Sequence, residues 1–194
     1  MNQQSTMIPP SAHARRVLHS SESADWYTPA ESVNAARTLM GGIDLDPASC
    51  ALANETVQAA RYYTAEENGL RQPWYGRVWL NPPYGRTTDG RSNQGLWSTR
   101  LIAEYETGAV TEAVLLVNAA TDTTWFRPLW RYWICLVYDR IEFDSPAGER
   151  NSPTHGSAFV YLGHQGERFR TIFEPFGRVV APDGQSGRAT RYLI

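Results

Sequence analysis

Gly76-Arg77-Val78-Trp79-Leu80-Asn81-Pro82-Pro83-Tyr84-Gly85 is the stretch whose reading decides the fold. Val78-Trp79-Leu80 has the apolar character of a buried strand. Asn81-Pro82-Pro83-Tyr84 halts it, because proline has no N–H to give to a sheet ladder. In an open α/β sheet, ligands bind beyond the carboxyl ends of strands. Asn81 and Tyr84 are therefore predicted to stand where a ligand arrives. The two prolines stiffen the turn and aim its carbonyls. The Asn81 side-chain oxygen and the Pro82 carbonyl can then accept both N–H bonds of an exocyclic amine, and Tyr84 offers a face for a planar group. The same four residues also suit a plain rigid turn around a buried tyrosine, and on their own they do not choose.

Upstream, Ile43-Asp44-Leu45-Asp46 reads as a short strand ending in carboxylates, with a helix capped by Ser49 through about Ala60. A carboxylate at that strand end can hold the amine of a cofactor, and the helix N-terminus can hold its carboxylate; Asp46 as a simple turn cap is the other reading. Earlier still, Asp25-Trp26-Tyr27-Thr28-Pro29-Ala30-Glu31 has the pattern of a capping box, with Thr28 as cap and a helix from Pro29 to Met40. Its two aromatics can close over a ring or staple the helix. Downstream come a polar loop from Gly85 to Gln94, a helix over 96–106 and a buried strand over Glu112–Asn118. A helix capped by Asp122 or Thr123 through Arg131 follows, then strands over Trp133–Tyr138, Arg140–Phe143 and Ser157–Leu162, and a helix over Glu167–Phe173. Strands alternating with helices predict an α/β fold: a compact, mostly parallel sheet with helices on both faces and an antiparallel edge. Residues 1–23 and 182–194 read as polar tails around one domain over 24–181.

Composition narrows the chemistry. The chain has 194 residues, enough for one sizeable core. All 18 basic residues are arginine, which excludes a lysine nucleophile or a P-loop lysine. Residues 41–70 carry a net charge of −4 and residues 71–100 one of +4, a pairing that suits a cationic cofactor beside a polyanionic substrate. Cys50 and Cys135 are too few for a disulfide scaffold, and the four histidines form no paired ligand spacing with them, so no metal is expected. No apolar run is long enough to span a membrane. No Gly-x-Ser-x-Gly elbow occurs.

Taken in order, DWYTP (25–29), IDLDPAS (43–49), ANETVQAARYYTAEENGL (53–70), GRVWLNPPYG (76–85), AVLLVNAATDTTWF (113–126), RIEFD (140–144) and HGSAFVYLG (155–163) make the chain resemble the phage-type, Dam-like DNA N-6-adenine methyltransferases. The resemblance covers about residues 20–180. It implies a class I Rossmann-like methyltransferase domain, S-adenosylmethionine as cofactor, DNA as substrate and a cytoplasmic location, that of a bacterial host if the chain is phage-encoded. It makes Asn81, Pro82, Pro83 and Tyr84 the catalytic turn. Tyr27, Thr28, Pro29, Asp44, Asp46 and Pro47 would line the cofactor pocket, and the acidic stretch Glu66-Glu67 would hydrogen-bond cofactor hydroxyls. DNA contact falls to Arg86, Arg91 and Arg100, with Arg127 and Arg131 behind them. Target choice falls to loops such as 85–95 and 144–156. Other acceptors for the same chemistry are a cytosine amine, an RNA adenine or a protein glutamine, and a non-catalytic nucleic-acid-binding module is the rival class. One departure stands out: Asp46-Pro47-Ala48-Ser49 lacks the glycine-rich loop usual after the first strand of such folds. Since this cofactor carries no phosphate, a phosphate-cradling loop is not obligatory.

Overall fold

The computed structural model describes residues 27–144, 150–151 and 155–182. The two expected tails, apart from Pro182, lie outside the described residues, as do Asp25, Trp26 and part of the 144–156 loop.

The opening helix, α1 (Ala30–Met40), starts after Pro29 and stops where Gly41 takes a left-handed conformation and returns its N–H to the Arg37 carbonyl. The chain then enters β1 (Leu45–Asp46) and α2 (Ala51–Val57). This second helix is shorter than expected and is capped by Cys50, not Ser49: the Cys50 sulfur accepts the Ala53 N–H. It ends at Gln58, in the left-handed region, because Asn54 spends its side chain on both backbone groups of Ala59. Next come β2 (Arg61–Tyr62), which the sequence did not reveal, β3 (Gly76–Leu80), α3 (Asn93–Glu106) and β4 (Val110–Asn118). Helix α3 begins three residues earlier than expected because the Ser92 hydroxyl caps it at the Gly95 N–H.

The helix expected through Arg131 is only a 3-10 turn over Arg127–Arg131, since Pro128 denies an α-helix its ladder bond. β5 (Trp133–Val137) follows as expected. The strand expected over Arg140–Phe143 is instead β6 (Phe143–Asp144), paired with β7 (Arg150–Asn151) outside the main sheet. The chain closes with β8 (Ser157–Leu162), α4 (Gly166–Phe173) and a further unexpected strand, β9 (Gly177–Val180).

The main sheet runs in the order β2-β1-β3-β4-β8-β5-β9. β2, β1, β3 and β4 are parallel neighbours; β8 and β9 run against theirs. The antiparallel direction is thus set inside the sheet, at β8, as well as at its edge. Side chains alternate across β4: Val114 and Leu116 pack with α1 and α4, whereas Ala113, Leu115 and Val117 pack with α3. Helices therefore cover both faces. The feature that positions a site is the order around β1. The chain leaves β1 through α2 to β2 on one side and returns to β3 on the other. Opposite departures open a crevice between the carboxyl ends of β1 and β3.

Candidate active site

Asp46 ends β1, and Asn81 follows β3 directly; Leu45 pairs with Val78 across the two strands. Both residues line a cavity of about 830 Å³ that opens over the crevice. Its walls come from Tyr27 and Thr28 before α1, the turn Pro47 to Cys50, the loop Thr64 to Gly69, and the turn Asn81 to Tyr84. Trp79 and Trp97 add aromatic surface. A second cavity, of about 1030 Å³, lies beyond the same turn. Arg86 and Arg91 line one side; Asn118, Trp125, Phe143 and His155 line others. Tyr84 belongs to both cavities.

Asn81 is held in one orientation. Its Nδ2 donates to the Thr28 hydroxyl at 3.1 Å, while its Oδ1 is buried with no hydrogen-bond partner among the described residues. Thr28 is therefore not the helix cap that its sequence context suggests: Pro29 occupies that position without a side-chain cap bond, and the Thr28 oxygen serves Asn81 instead. A buried acceptor left empty is costly, so the arrangement favours a ligand N–H at Asn81 Oδ1. The Tyr84 hydroxyl is likewise buried without a partner among the described residues, and burial pushes its phenol further up from the ordinary range. Its ring meets the edge of Phe143 with centroids 6.3 Å apart and planes at 74°. Phe143 was not foreseen as part of the site, although RIEFD was among the matching segments.

Asp46 is 3% exposed, and burial pushes its carboxyl up to about 7 against the pull of the Ala48 amide, which donates to Oδ1 at 3.2 Å. A cation placed beside it would restore the charge. Asp44, two residues away, does not share this role. It sits at the amino end of the strand, where Arg77 clamps both its oxygens at 2.7 and 2.9 Å and holds its carboxyl below the usual range. It is a strand-entry ion pair and lines neither cavity.

Pro47, Pro82 and Pro83 line the first cavity; Pro29 does not. Glu67 turns away to Arg61 and accepts the Thr64 N–H, and it is the neighbouring Glu66 that faces the cavity. Arg86 and Arg91 lie on the exposed loop beside the second cavity, held locally by the Gly90 carbonyl and by Asp89. Arg100 lines neither cavity: its guanidinium bonds the Leu70 and Gln72 carbonyls and Glu104. Of the three arginines expected at DNA, Arg86 and Arg91 line the second cavity and Arg100 does not. Arg131 is paired with Glu106. Cavity residues that sequence reasoning missed include Cys50, Gly69 and Trp97; Gly69 lies inside the matching ANETVQAARYYTAEENGL, whereas Cys50 and Trp97 lie outside every matching segment.

Among the described residues no group of His, Cys, Asp and Glu is placed to hold a metal ion, and no helix is long and apolar enough to cross a membrane. No curated protein matches the chain. The sequence pattern of the DNA N-6-adenine-methyltransferase (Dam) family does match, over residues 16–162, well over half the chain; the protein belongs to that family and is a DNA N-6-adenine methyltransferase, an enzyme that moves a methyl group from a donor to adenine in DNA.

Proposed function

We propose that the donor is S-adenosylmethionine, bound in the first cavity, and that the acceptor adenine enters from the second. The observation that carries this reading is Asn81: one amide end pinned by Thr28, the other an empty buried acceptor, at the turn where the two cavities meet. The sheet order, with β1 and β3 at the switch point and β8 antiparallel between β4 and β5, supports a class I Rossmann-like methyltransferase fold.

The donor's residues fit its chemistry. The buried Asp46 carboxylate would hold its amino group, and Tyr27, Trp79 and Trp97 offer apolar surface for its adenine. When bound, the donor supplies a methyl group activated by a sulfonium. The protein's part is placement. An adenine inside a duplex cannot present its amine, so it leaves the stack. Tyr84 takes the ring on its face. Asn81 Oδ1 and the Pro82 carbonyl accept the two amine N–H bonds, which turns the nitrogen lone pair towards the methyl carbon. The bound donor would give up its methyl carbon to that lone pair and keep the C–S electron pair as a neutral thioether. The amine, cationic once methylated, is a strong acid and gives its proton to water; Asn81 Oδ1 and the Pro82 carbonyl orient it and keep no proton. Fixed orientation of this kind can supply about 7–11 kcal/mol of a barrier. Arg86 and Arg91 stand where phosphates would approach the second cavity.

Nothing in the fold or the family match favours another acceptor. The test is transfer of labelled methyl to DNA, RNA and protein extract, with digestion of the product. N6-methyladenine from DNA is the expected label carrier; label only in RNA or protein overturns the reading.

A further inference from the structure

Arg100 lines neither cavity, and its own hydrogen bonds assign it other work. Its Nη1 donates to the Leu70 carbonyl at 2.9 Å and its Nη2 to the Gln72 carbonyl at 3.2 Å. Glu104, one helical turn on, fixes Nε at 2.7 Å. The guanidinium lies over the Trp74 ring, 5.6 Å from its centroid. A planar fork that grips two carbonyls and stacks on an indole holds one arrangement of the 69–74 segment.

That segment bears on the first cavity. Trp74 Nε1 donates to the Gly69 carbonyl at 2.8 Å. Gly69 is packed so closely on the turn after β1 that a Cβ there would stand 1.9 Å from the Pro47 carbonyl oxygen. Pro47 follows Asp46, and both line the cavity with Gly69. On the same helix as Arg100, Trp97 also lines the cavity and tilts against Trp74 with centroids 5.8 Å apart. An unbroken set of contacts thus runs from Arg100 through the 69–74 segment to the turn that carries Asp46.

We propose that Arg100 is a positioning residue for the methyl-donor cavity: by clamping Leu70 and Gln72 it presses Gly69 against Pro47 and so sets the place of the Asp46 carboxylate. The inference rests on the donor reading given above. Its test is titration calorimetry of the full chain with S-adenosylhomocysteine, beside DNA-binding curves over a range of salt. Arg100→Met is expected to weaken the nucleoside's binding about tenfold, the scale of a lost charge-assisted hydrogen bond. Arg100→Lys, which keeps one carbonyl contact, is expected to fall between Met and the wild type. Under saturating donor kcat stays within about twofold, and the salt slope of DNA binding is unchanged. Glu104→Gln loosens the clamp without removing it, and should give a smaller loss of the same kind if Arg100→Met fails to fold. Equal nucleoside affinity in the folded variants overturns the proposal alone, and so does a reduced salt slope with donor affinity intact. A wild-type chain that binds no S-adenosylhomocysteine overturns the donor reading and this inference together.

Discussion

The two cavities that share Tyr84 are built from different materials. The first is framed by strand ends and rigid turns: Asp46 is buried at the end of β1, Asn81 is pinned to Thr28, and Gly69 is wedged on Pro47. The second is rimmed by a loop that, among the described residues, is held by its own short-range bonds. The Thr87 N–H donates to the Arg91 carbonyl, the Arg91 N–H donates to the Thr87 hydroxyl, Gly90 returns its N–H to the Thr87 carbonyl, and Arg91 pairs with Asp89. One cavity presents a buried acid, the other exposed arginines. On the proposed reading this division follows from the reactants. A small cation of fixed shape rewards a preformed pocket, whereas a long polyanion is first met by diffuse charge that adapts to it. The methyl group must cross from one environment to the other, and the Asn81–Tyr84 turn is where they touch.

Breaking that junction should have the largest effect. Asn81→Ala removes the empty acceptor and is expected to lower kcat about a hundredfold or more. Affinity for S-adenosylhomocysteine, read by calorimetry, should stay within a few-fold. Turnover close to wild type would remove Asn81 from the mechanism.

Asp46 tests the rigid cavity by its charge. With its carboxyl at about 7 in the folded protein, above the ordinary aspartate value of 3.8, the group is largely protonated below neutrality. A cationic donor selects the ionised form, so donor affinity should rise with pH through about 7 and level off above it, with proton release on binding below that point. The stability term has the opposite sense. The folded state holds the proton more tightly than the unfolded one, so stability is highest below the unfolded pKa and declines as pH rises through about 7. Asp46→Asn should flatten both profiles and weaken donor binding about tenfold. A wild-type donor affinity independent of pH between 6 and 8 would contradict the assignment of the ammonium to Asp46.

Which of these residues could be read beforehand follows from how local their signals are. Asn81-Pro82-Pro83-Tyr84 announces itself because prolines end a strand whatever surrounds them, and β3 with its turn lies where the sequence put it. Asp44 and Asp46 are the same residue type two positions apart; only the tertiary arrival of Arg77 at the strand's amino end separates an ion pair from a cavity acid. Glu66 and Glu67 pose the same problem, resolved by Arg61. Arg100 was invisible as a clamp because its partners are backbone carbonyls 28 and 30 residues earlier. β9 was missed because its four residues gain their order from β5, where Gly177 approaches the Leu136 carbonyl too closely for any side chain.

Thr28→Val sharpens the comparison from the rigid side. Valine keeps the shape but withdraws the oxygen that receives Asn81 Nδ2. The amide is then free to rotate, and its acceptor is correctly aimed only part of the time. A loss of about tenfold in kcat is expected, with donor and DNA binding little changed. Thr28→Ser, which restores the hydroxyl, should recover most of the rate. If serine and valine behave alike, the hydroxyl is not what orients Asn81.

The smallest effect belongs to the adaptable rim. Arg86 and Arg91 are exposed, and each already has a local partner, so neither is indispensable to folding. Replacing both by alanine should weaken DNA binding several-fold near physiological salt and more at low salt, where phosphate neutralisation dominates. The slope of log K against log salt should shrink by about 2, one unit for each lost phosphate contact. kcat at saturating DNA should hold, because neither guanidinium reaches the turn that aligns the amine. An unchanged slope would mean that the polyanion approaches over another face, and would separate the basic loop from the cavity it borders.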